Sequence, residues 1–330
     1  MSREADRFDE SDVRVRAGRG GSRARTKRRP DHTDAVTGMV VTVDRGRWTC
    51  VLHGDPAHRV TAMRARELGR TPVVVGDRVG LVGDLSGATD ALARIVRVTE
   101  RSSVLRRTAD DTDPYERVVV ANAEQLLVVA SLADPPPRTG LIDRCLVAAY
   151  AGGLKPVLCL TKRDLAAPDR LLERYAALDL PVLLTQPDTP AEVLRQRLAG
   201  RLSALVGHSG VGKSTLVNRL VPDAARATAE VSAVGKGRHT SSSAVALPLP
   251  GGGWVVDTPG IRSFGLAHVS TDDVVSAFGD LAEAIGDCPR GCRHLGPPAD
   301  PECALDELAG APHLRALSVR ALLSALSEAG

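Results

Sequence analysis

The chain has 330 residues, 43% hydrophobic, 25% charged and 2% aromatic, with a formal net charge of +3. That balance supplies enough apolar side chains for roughly two folded domains and excludes whole-chain disorder. The longest apolar runs, such as Leu126–Ala133, fall far short of the ~18–20 residues that span a bilayer.

In chain order, the charged opening Arg3, Glu4, Asp6, Arg7, Asp9, Glu10 is unlike a secretory leader, so a cytoplasmic protein with no membrane attachment is expected. Residues 1–12 carry a local charge of −3. Residues 13–30 then hold Arg14, Arg16, Arg19, Arg23, Arg25, Lys27, Arg28 and Arg29 with no acid. A basic, Gly- and Ser-spaced tail over residues 1–34 cannot bury a core and is expected to stay disordered and to reach for the phosphates of a nucleic acid.

From residue 35 to 108, short alternating runs split by turns predict about five strands: Gly38–Val43, Trp48–Leu52, Val73–Val75, Val79–Val82 and Ala93–Val98. That count in so short a stretch suits a small OB-type barrel, a common platform for RNA. Trp48 is its one aromatic residue able to stack a base, so RNA contact there would rest mainly on charge, shape and loops. A barrel serving only as a spacer fits the same residues.

Beyond the polar stretch Ala109–Tyr115, read as a linker, the pattern becomes α/β. Apolar strands Gln125–Ser131, Pro156–Leu160, Pro181–Leu184 and Leu202–Val206 alternate with helices Leu141–Ala151, Asp169–Leu178 and Ala191–Leu198, as in a parallel sheet. The second of these strands runs into Thr161-Lys162-Arg163-Asp164. A carboxylate at Asp164 would accept both N1–H and N2–H of guanine and would be left unsatisfied by adenine. The stem of Lys162 would cover the base. Leu183-Leu184-Thr185 would form the loop behind it.

Gly207-His208-Ser209-Gly210-Val211-Gly212-Lys213-Ser214 fits G-x-x-x-x-G-K-[ST] in full, between the apolar strand Leu202–Val206 and the helical Thr215–Leu220. Its backbone N–H groups would cradle the β-phosphate, Lys213 would reach the β- and γ-phosphates, and the Ser214 hydroxyl would ligate Mg²⁺. Next comes a polar, Gly-hinged loop, Lys236–Ser242, in which the hydroxyl of Thr240, or next of Ser241, could complete the Mg²⁺ shell. The strand Gly253–Val256 then leads into Asp257-Thr258-Pro259-Gly260. There Asp257 could hold Mg²⁺ through water and the Gly260 N–H could sense the γ-phosphate. The order is unusual: the base-reading motif precedes the phosphate loop, as in a circularly permuted GTPase.

Of the six cysteines, Cys50, Cys145 and Cys159 are scattered and read as buried small hydrophobes. Cys288, Cys292 and Cys303 cluster with His294. Three thiolates and one imidazole suit a tetrahedral structural Zn²⁺ with no open position for catalysis. Helix-forming Leu305–Leu308 and Leu314–Ala329 close the chain.

Permuted GTPase motifs between a barrel and a Cys/His module resemble the ribosome small-subunit-dependent GTPase family (RsgA, YjeQ or EngC). The likeness runs from about residue 36 to the C-terminus through Val120–Gln125, Gly207–Ser214, Gly235–Thr240 and Asp257–Gly265, and the basic Val13–His32 segment looks like the extension of actinobacterial members. The resemblance implies 1–34 as a basic tail, 35–108 as an RNA-binding OB domain, 116–268 as a permuted GTPase domain and 269–330 as a helical zinc-binding domain. It implies binding to the 30S subunit and its 16S rRNA late in assembly, hydrolysis of GTP when stimulated by the subunit, and release; a monomer is expected. Ile261, one residue past Gly260, cannot orient a water. The family implies His239 as the substitute.

Two features depart from the family's pattern. The metal segment usually reads C-x4-C-x-H-x5-C, whereas here the spacing is C-x3-C-x-H-x8-C, and Thr161 stands where the base motif usually has Asn. Rival readings are a non-catalytic, GTP-gated RNA-binding checkpoint and an ATP-dependent P-loop kinase or transporter subunit. Thr161-Lys162-Arg163-Asp164 speaks against the latter.

Overall fold

A computed structural model describes residues 32–69, 71–108, 115–222, 224, 244–258, 265–266 and 268–327, with side chains through 324. Asp34–Gly330 form one compact unit. The basic tail, the switch loop with His239 and Thr240, and Pro259–Phe264 with Gly260 and Ile261 lie outside the described residues.

Five short strands build the barrel: β1 (Val36–Asp44), β2 (Arg47–Leu52), β3 (Arg59–Arg64), β4 (Arg78–Gly83) and β5 (Ala93–Val98). They pair in the order β1-β2-β3-β5-β4, and β4 returns to β1, which closes the sheet. Along β5, Ala93 and Ile95 turn inward and Arg94 outward, as a strand with one wet face requires. The number of strands matches expectation but one identity does not. Val73–Val75 contributes only a single bridge, from Val75 to Val120, and the third strand is Arg59–Arg64. Trp48 is not a stacking platform either: it is buried among Val40, Val60 and Ile95, and its indole N–H donates to the Val73 carbonyl at 2.9 Å.

Two further strands, β6 (Val104–Arg107) and β7 (Arg117–Ala121), form a hairpin across the stretch read as a linker. Asn122, at positive φ, staples this region to the barrel. Its amide donates to the Gly76 carbonyl at 3.0 Å and its carbonyl accepts the Ser102 N–H at 2.9 Å.

The second sheet is formed by β8 (Gln125–Ser131), β9 (Lys155–Thr161), β10 (Val182–Leu184), β11 (Leu202–Val206), β12 (Val245–Pro248) and β13 (Trp254–Asp257). Its order is β10-β9-β8-β11-β13-β12, parallel except for β12, and the pairing of Thr42 with Val245 joins it to the barrel. Both faces are covered, which is why the strands read as unbroken apolar runs. Leu126 and Val128 pack on one side with α1 (Thr139–Ala151). Leu127 and Val129 pack on the other with α3 (Ala191–Leu198) and α4 (Lys213–Leu220). Between them in sequence, α2 (Asp169–Tyr175) is tied to α1 through the buried Asp143, which accepts from Tyr175 Oη at 2.6 Å and Arg174 at 2.7 Å. Cys50, Cys145 and Cys159 are buried, and burial pushes each thiol up to about 12.

The C-terminal part begins at a capping box, Ser270 with Asp273, that starts α5 (Thr271–Val275). After α6 (Gly279–Ala284), the chain passes through the Cys/His segment. Residues expected as the helix Leu305–Leu308 instead form a single 3-10 turn, Ala304–Glu307. The last helix, α7 (Gly310–Ser327), buries Ala316, Val319 and Leu323 in the core shared with α1, and Arg315 clamps it to the Ala177 carbonyl and Asp280.

Candidate nucleotide site and metal centre

Parallel strands aim their carboxyl ends one way, and ligands of open α/β sheets bind there. In this sheet β9 ends at Thr161, β11 at Val206 and β13 at Asp257, so the motifs collect on one rim despite their shuffled order. The register fixes this alignment: Ser131 lies opposite Thr161, Val206 opposite Val128 and Leu205 opposite Asp257.

The phosphate loop bridges β11 and α4. Gly207 has no room for a side chain, because a Cβ there would meet the Val129 carbonyl oxygen at 2.4 Å. Gly212 sits at φ +89° immediately before α4, a left-handed turn that L side chains resist. His208 hydrogen-bonds the Ser209 carbonyl through Nδ1 at 2.7 Å. Ser209, Gly210, Ser214 and Thr215 are exposed at the rim, while Val211 is buried and anchors the loop to the core. The first N–H groups of α4 close the cradle, as an anion site at a helix start requires.

Lys213 Nζ donates to the Thr258 carbonyl at 3.0 Å and lies 3.2 Å from Asp257 Oδ1. That carboxylate oxygen is buried and, among the described residues, takes no hydrogen bond. The phosphate-loop lysine and the D-T-P-G aspartate, 44 positions apart, therefore meet. Thr258 is held in turn by its hydroxyl, which donates to the Leu205 carbonyl on β11. A buried acceptor that, among the described residues, meets an ammonium and no hydrogen-bond donor fits a second cation, so Ser214 and Asp257 could hold Mg²⁺.

The base-reading segment joins the same rim. Thr161 is buried, and its hydroxyl donates to the Val211 carbonyl at 2.6 Å. The residue that stands in place of the usual Asn is thus a tie between the base motif and the phosphate loop. No local signal could have shown a bond across 50 positions. Lys162, at φ 59°, donates to the Asp134 carbonyl in the loop after β8, and Asp164 stands exposed in the turn beyond. The Leu183–Thr185 segment lies beside them: Thr185 is buried, its N–H donates to the Leu160 carbonyl at 2.8 Å and its carbonyl accepts the Arg163 N–H at 3.2 Å.

In the C-terminal part, one ligand atom from each of Cys288, Cys292, His294 and Cys303 falls within 4.8 Å of the others. His294 Nδ1 faces both Cys288 Sγ at 3.5 Å and Cys292 Sγ at 3.6 Å, while Nε2 meets Asp272 Oδ1 at 3.0 Å. A carboxylate behind a ligating imidazole fixes its tautomer and orientation, which sequence spacing alone did not reveal. Burial pushes the Cys292 thiol up to about 12. Four convergent N/S donors with a braced histidine fit Zn²⁺. The altered spacing is absorbed in turns: His294 itself takes φ 61°, and the longer gap carries a turn closed by the Asp300 N–H on the Gly296 carbonyl.

Comparison with known proteins finds relatives of one family. A family model described as RsgA GTPase matches residues 98–267. The protein named small ribosomal subunit biogenesis GTPase RsgA from Chlorobaculum parvum is 38% identical over 286 residues, covering 82% of this chain and 91% of that one. Its namesake from Paraburkholderia xenovorans is 36% identical over 303 residues, covering 87% and 91%. Among solved structures, YjeQ from Thermotoga maritima superposes with a TM-score of 0.62 at 26% identity, over 87% of this chain and 98% of that one. YloQ, a circularly permuted GTPase, superposes at 0.60 with 20% identity over 90% and 98%, a likeness of fold.

Proposed function

Because the chain belongs to the RsgA GTPase family and is a GTPase of small-subunit biogenesis, we propose that it binds the 30S subunit late in assembly, contacts 16S rRNA, hydrolyses GTP to GDP and phosphate, and leaves. The observation that carries this reading is the meeting of Lys213, Asp257 and the Thr161–Val211 tie on one rim of the sheet. The division of labour we infer follows the sequence: 1–34 as a basic tail, 35–108 as the RNA-binding barrel, 116–268 as the GTPase domain and 269–330 as the zinc-binding domain. The protein acts as a monomer in the cytoplasm. Among the described residues, no helix is long and apolar enough to cross a membrane.

In the mechanism, Asp164 accepts the guanine N1–H and N2–H, and Lys162 covers the base. The N–H groups from Gly207 to Thr215 hold the β-phosphate. Lys213 gives up its contact with Asp257 for the β- and γ-phosphate oxygens. Ser214, Thr240 and Asp257 would hold Mg²⁺, which when bound neutralises charge growing on the phosphates. The N–H of Gly260 senses the γ-phosphate. His239 orients the attacking water, since Ile261 has no polar atom to do so. Cys288, Cys292, His294 and Cys303 would hold Zn²⁺, whose contribution is to the folding of the last domain.

Steady-state phosphate release with and without mature 30S subunits tests this reading. Slow intrinsic turnover should rise at least tenfold with subunits, and His239→Ala should keep GTP binding but lose the rise. Turnover that subunits leave unchanged would favour the non-catalytic checkpoint, and a stimulated His239→Ala protein would exclude that residue's role.

A further inference from the structure

The chain has two tryptophans. Trp48 is spent on the barrel core, with its N–H satisfied by Val73. Trp254 is placed differently. It is the first residue of β13, at the end of the sheet opposite the nucleotide rim, and its indole is half-buried. One side packs on the main core, which holds the ring still. Part of it lines a cleft of about 440 Å³ where the barrel meets the second sheet.

The lining of this cleft includes Met39 and His53 from the barrel, Arg78 at the start of β4, Glu124 before β8, Arg201 just before β11 and Trp254 at the start of β13. Arg78, Glu124, Arg201 and His53 are exposed, so the cleft opens to solvent along the seam between the domains. Glu124, whose carboxylate accepts the Leu202 N–H, brings one negative charge to the cleft against the two of the arginines. Arg201 makes one long contact, 3.4 Å, with the buried Gln125 amide oxygen. Among the described residues, no carboxylate forms an ion pair with Arg78 or Arg201.

An immobilised aromatic ring beside two guanidinium groups, in an open cleft of nucleotide size, matches the way unpaired nucleic acid is held: base on ring, phosphates on cations. We propose that this cleft takes a nucleotide of single-stranded RNA, its base stacked on Trp254 and its flanking phosphates paired with Arg78 and Arg201. A free mononucleotide shares that chemistry, but an open cleft with two arginines from different segments favours a strand that brings more than one phosphate. The inference rests on the reading of this protein as one that works on the ribosomal small subunit. Its lining shares no residue with the GTP machinery or the metal centre.

The test uses the full chain saturated with GDP, titrated with a single-stranded adenine hexaribonucleotide while tryptophan emission is followed. Trp48 contributes a constant background, so a saturable loss of emission reads Trp254. Dye-labelled hexanucleotide followed by anisotropy reports total binding, including any by the basic tail. The proposal expects quenching with RNA, at least tenfold weaker quenching affinity for AMP, and at least tenfold weaker affinity for RNA in the R78E/R201E double variant. Trp254→Phe should abolish the optical signal while retaining most of the binding. RNA binding seen by anisotropy with unchanged emission would overturn the proposal, as would AMP quenching as tightly as RNA. Stimulation of wild-type hydrolysis by 30S subunits, measured on the same preparation, separates failure of this site from failure of the functional reading.

Discussion

Replacing Thr161 with valine removes one hydroxyl and keeps the side chain's shape and burial. The Val211 carbonyl then loses the 2.6 Å bond that holds the phosphate loop against β9. Leaving a buried acceptor unsatisfied costs about 1–3 kcal/mol. Part of this is lost from the fold, because the bond exists without nucleotide. A loss of about 1 kcal/mol would lower the melting temperature by roughly 2–4 °C in a protein of this size class. The rest appears as weaker binding, since the relaxed loop must be drawn back before its N–H groups face the phosphate. At 1.4 kcal/mol per decade, the GDP dissociation constant should rise about tenfold. Thr161→Ser, which keeps the donor, should stay within about threefold of the wild type. Titration calorimetry with GDP and a thermal melt of each variant decide the matter. A valine variant that binds GDP like the wild type and melts at the same temperature would refute the tie.

Other substitutions read other parts of the site. Gly207→Ala places a methyl carbon 2.4 Å from the Val129 carbonyl oxygen, so either the loop or β8 must move; GDP binding should fall at least a hundredfold, measured with a fluorescent guanine nucleotide. Asp164→Asn exchanges an acceptor for a donor, so it should weaken GTP and favour xanthosine triphosphate, which offers an acceptor where guanine has its amino group; competition between the two nucleotides measures the switch. Asp272→Asn removes the charge behind His294 and should lower zinc affinity about 10- to 100-fold, read by transfer to a chromogenic chelator. Full retention of zinc by that variant would show the carboxylate to be incidental.

What could be read from the chain and what could not divide along physical lines. Gln125–Ser131 and Leu202–Val206 are covered on both faces, and continuous burial leaves an unmistakable apolar run. Arg59–Arg64 is half-wet, begins and ends in arginine and exposes Met63, so its pairing with Trp48–Val51 had no comparable signature. The hairpin of β6 and β7 was hidden for the same reason: Arg106, Arg107 and Arg117 occupy its outer positions. At the site, Lys213, Asp164 and the four zinc donors belong to patterns in which residue type and spacing follow from the chemistry. Their partners do not. Thr161 on Val211, Lys162 on Asp134 and Asp272 behind His294 are contacts made by the packing of distant segments, and Trp48 was misread because its burial depends on barrel closure rather than on its neighbours in sequence.

The central claim is that three separated segments serve one guanine nucleotide. Calorimetric titration of the Mg²⁺-supplemented protein with a non-hydrolysable GTP analogue addresses it most directly, run on the wild type and on Asp164→Ala, Lys213→Ala and Asp257→Ala. One site per chain is expected, with no competition from the matching ATP analogue, a loss of at least tenfold in each variant and a loss of magnesium dependence in Asp257→Ala. Wild-type affinity in any of the three, or equal competition by the ATP analogue, would contradict that claim.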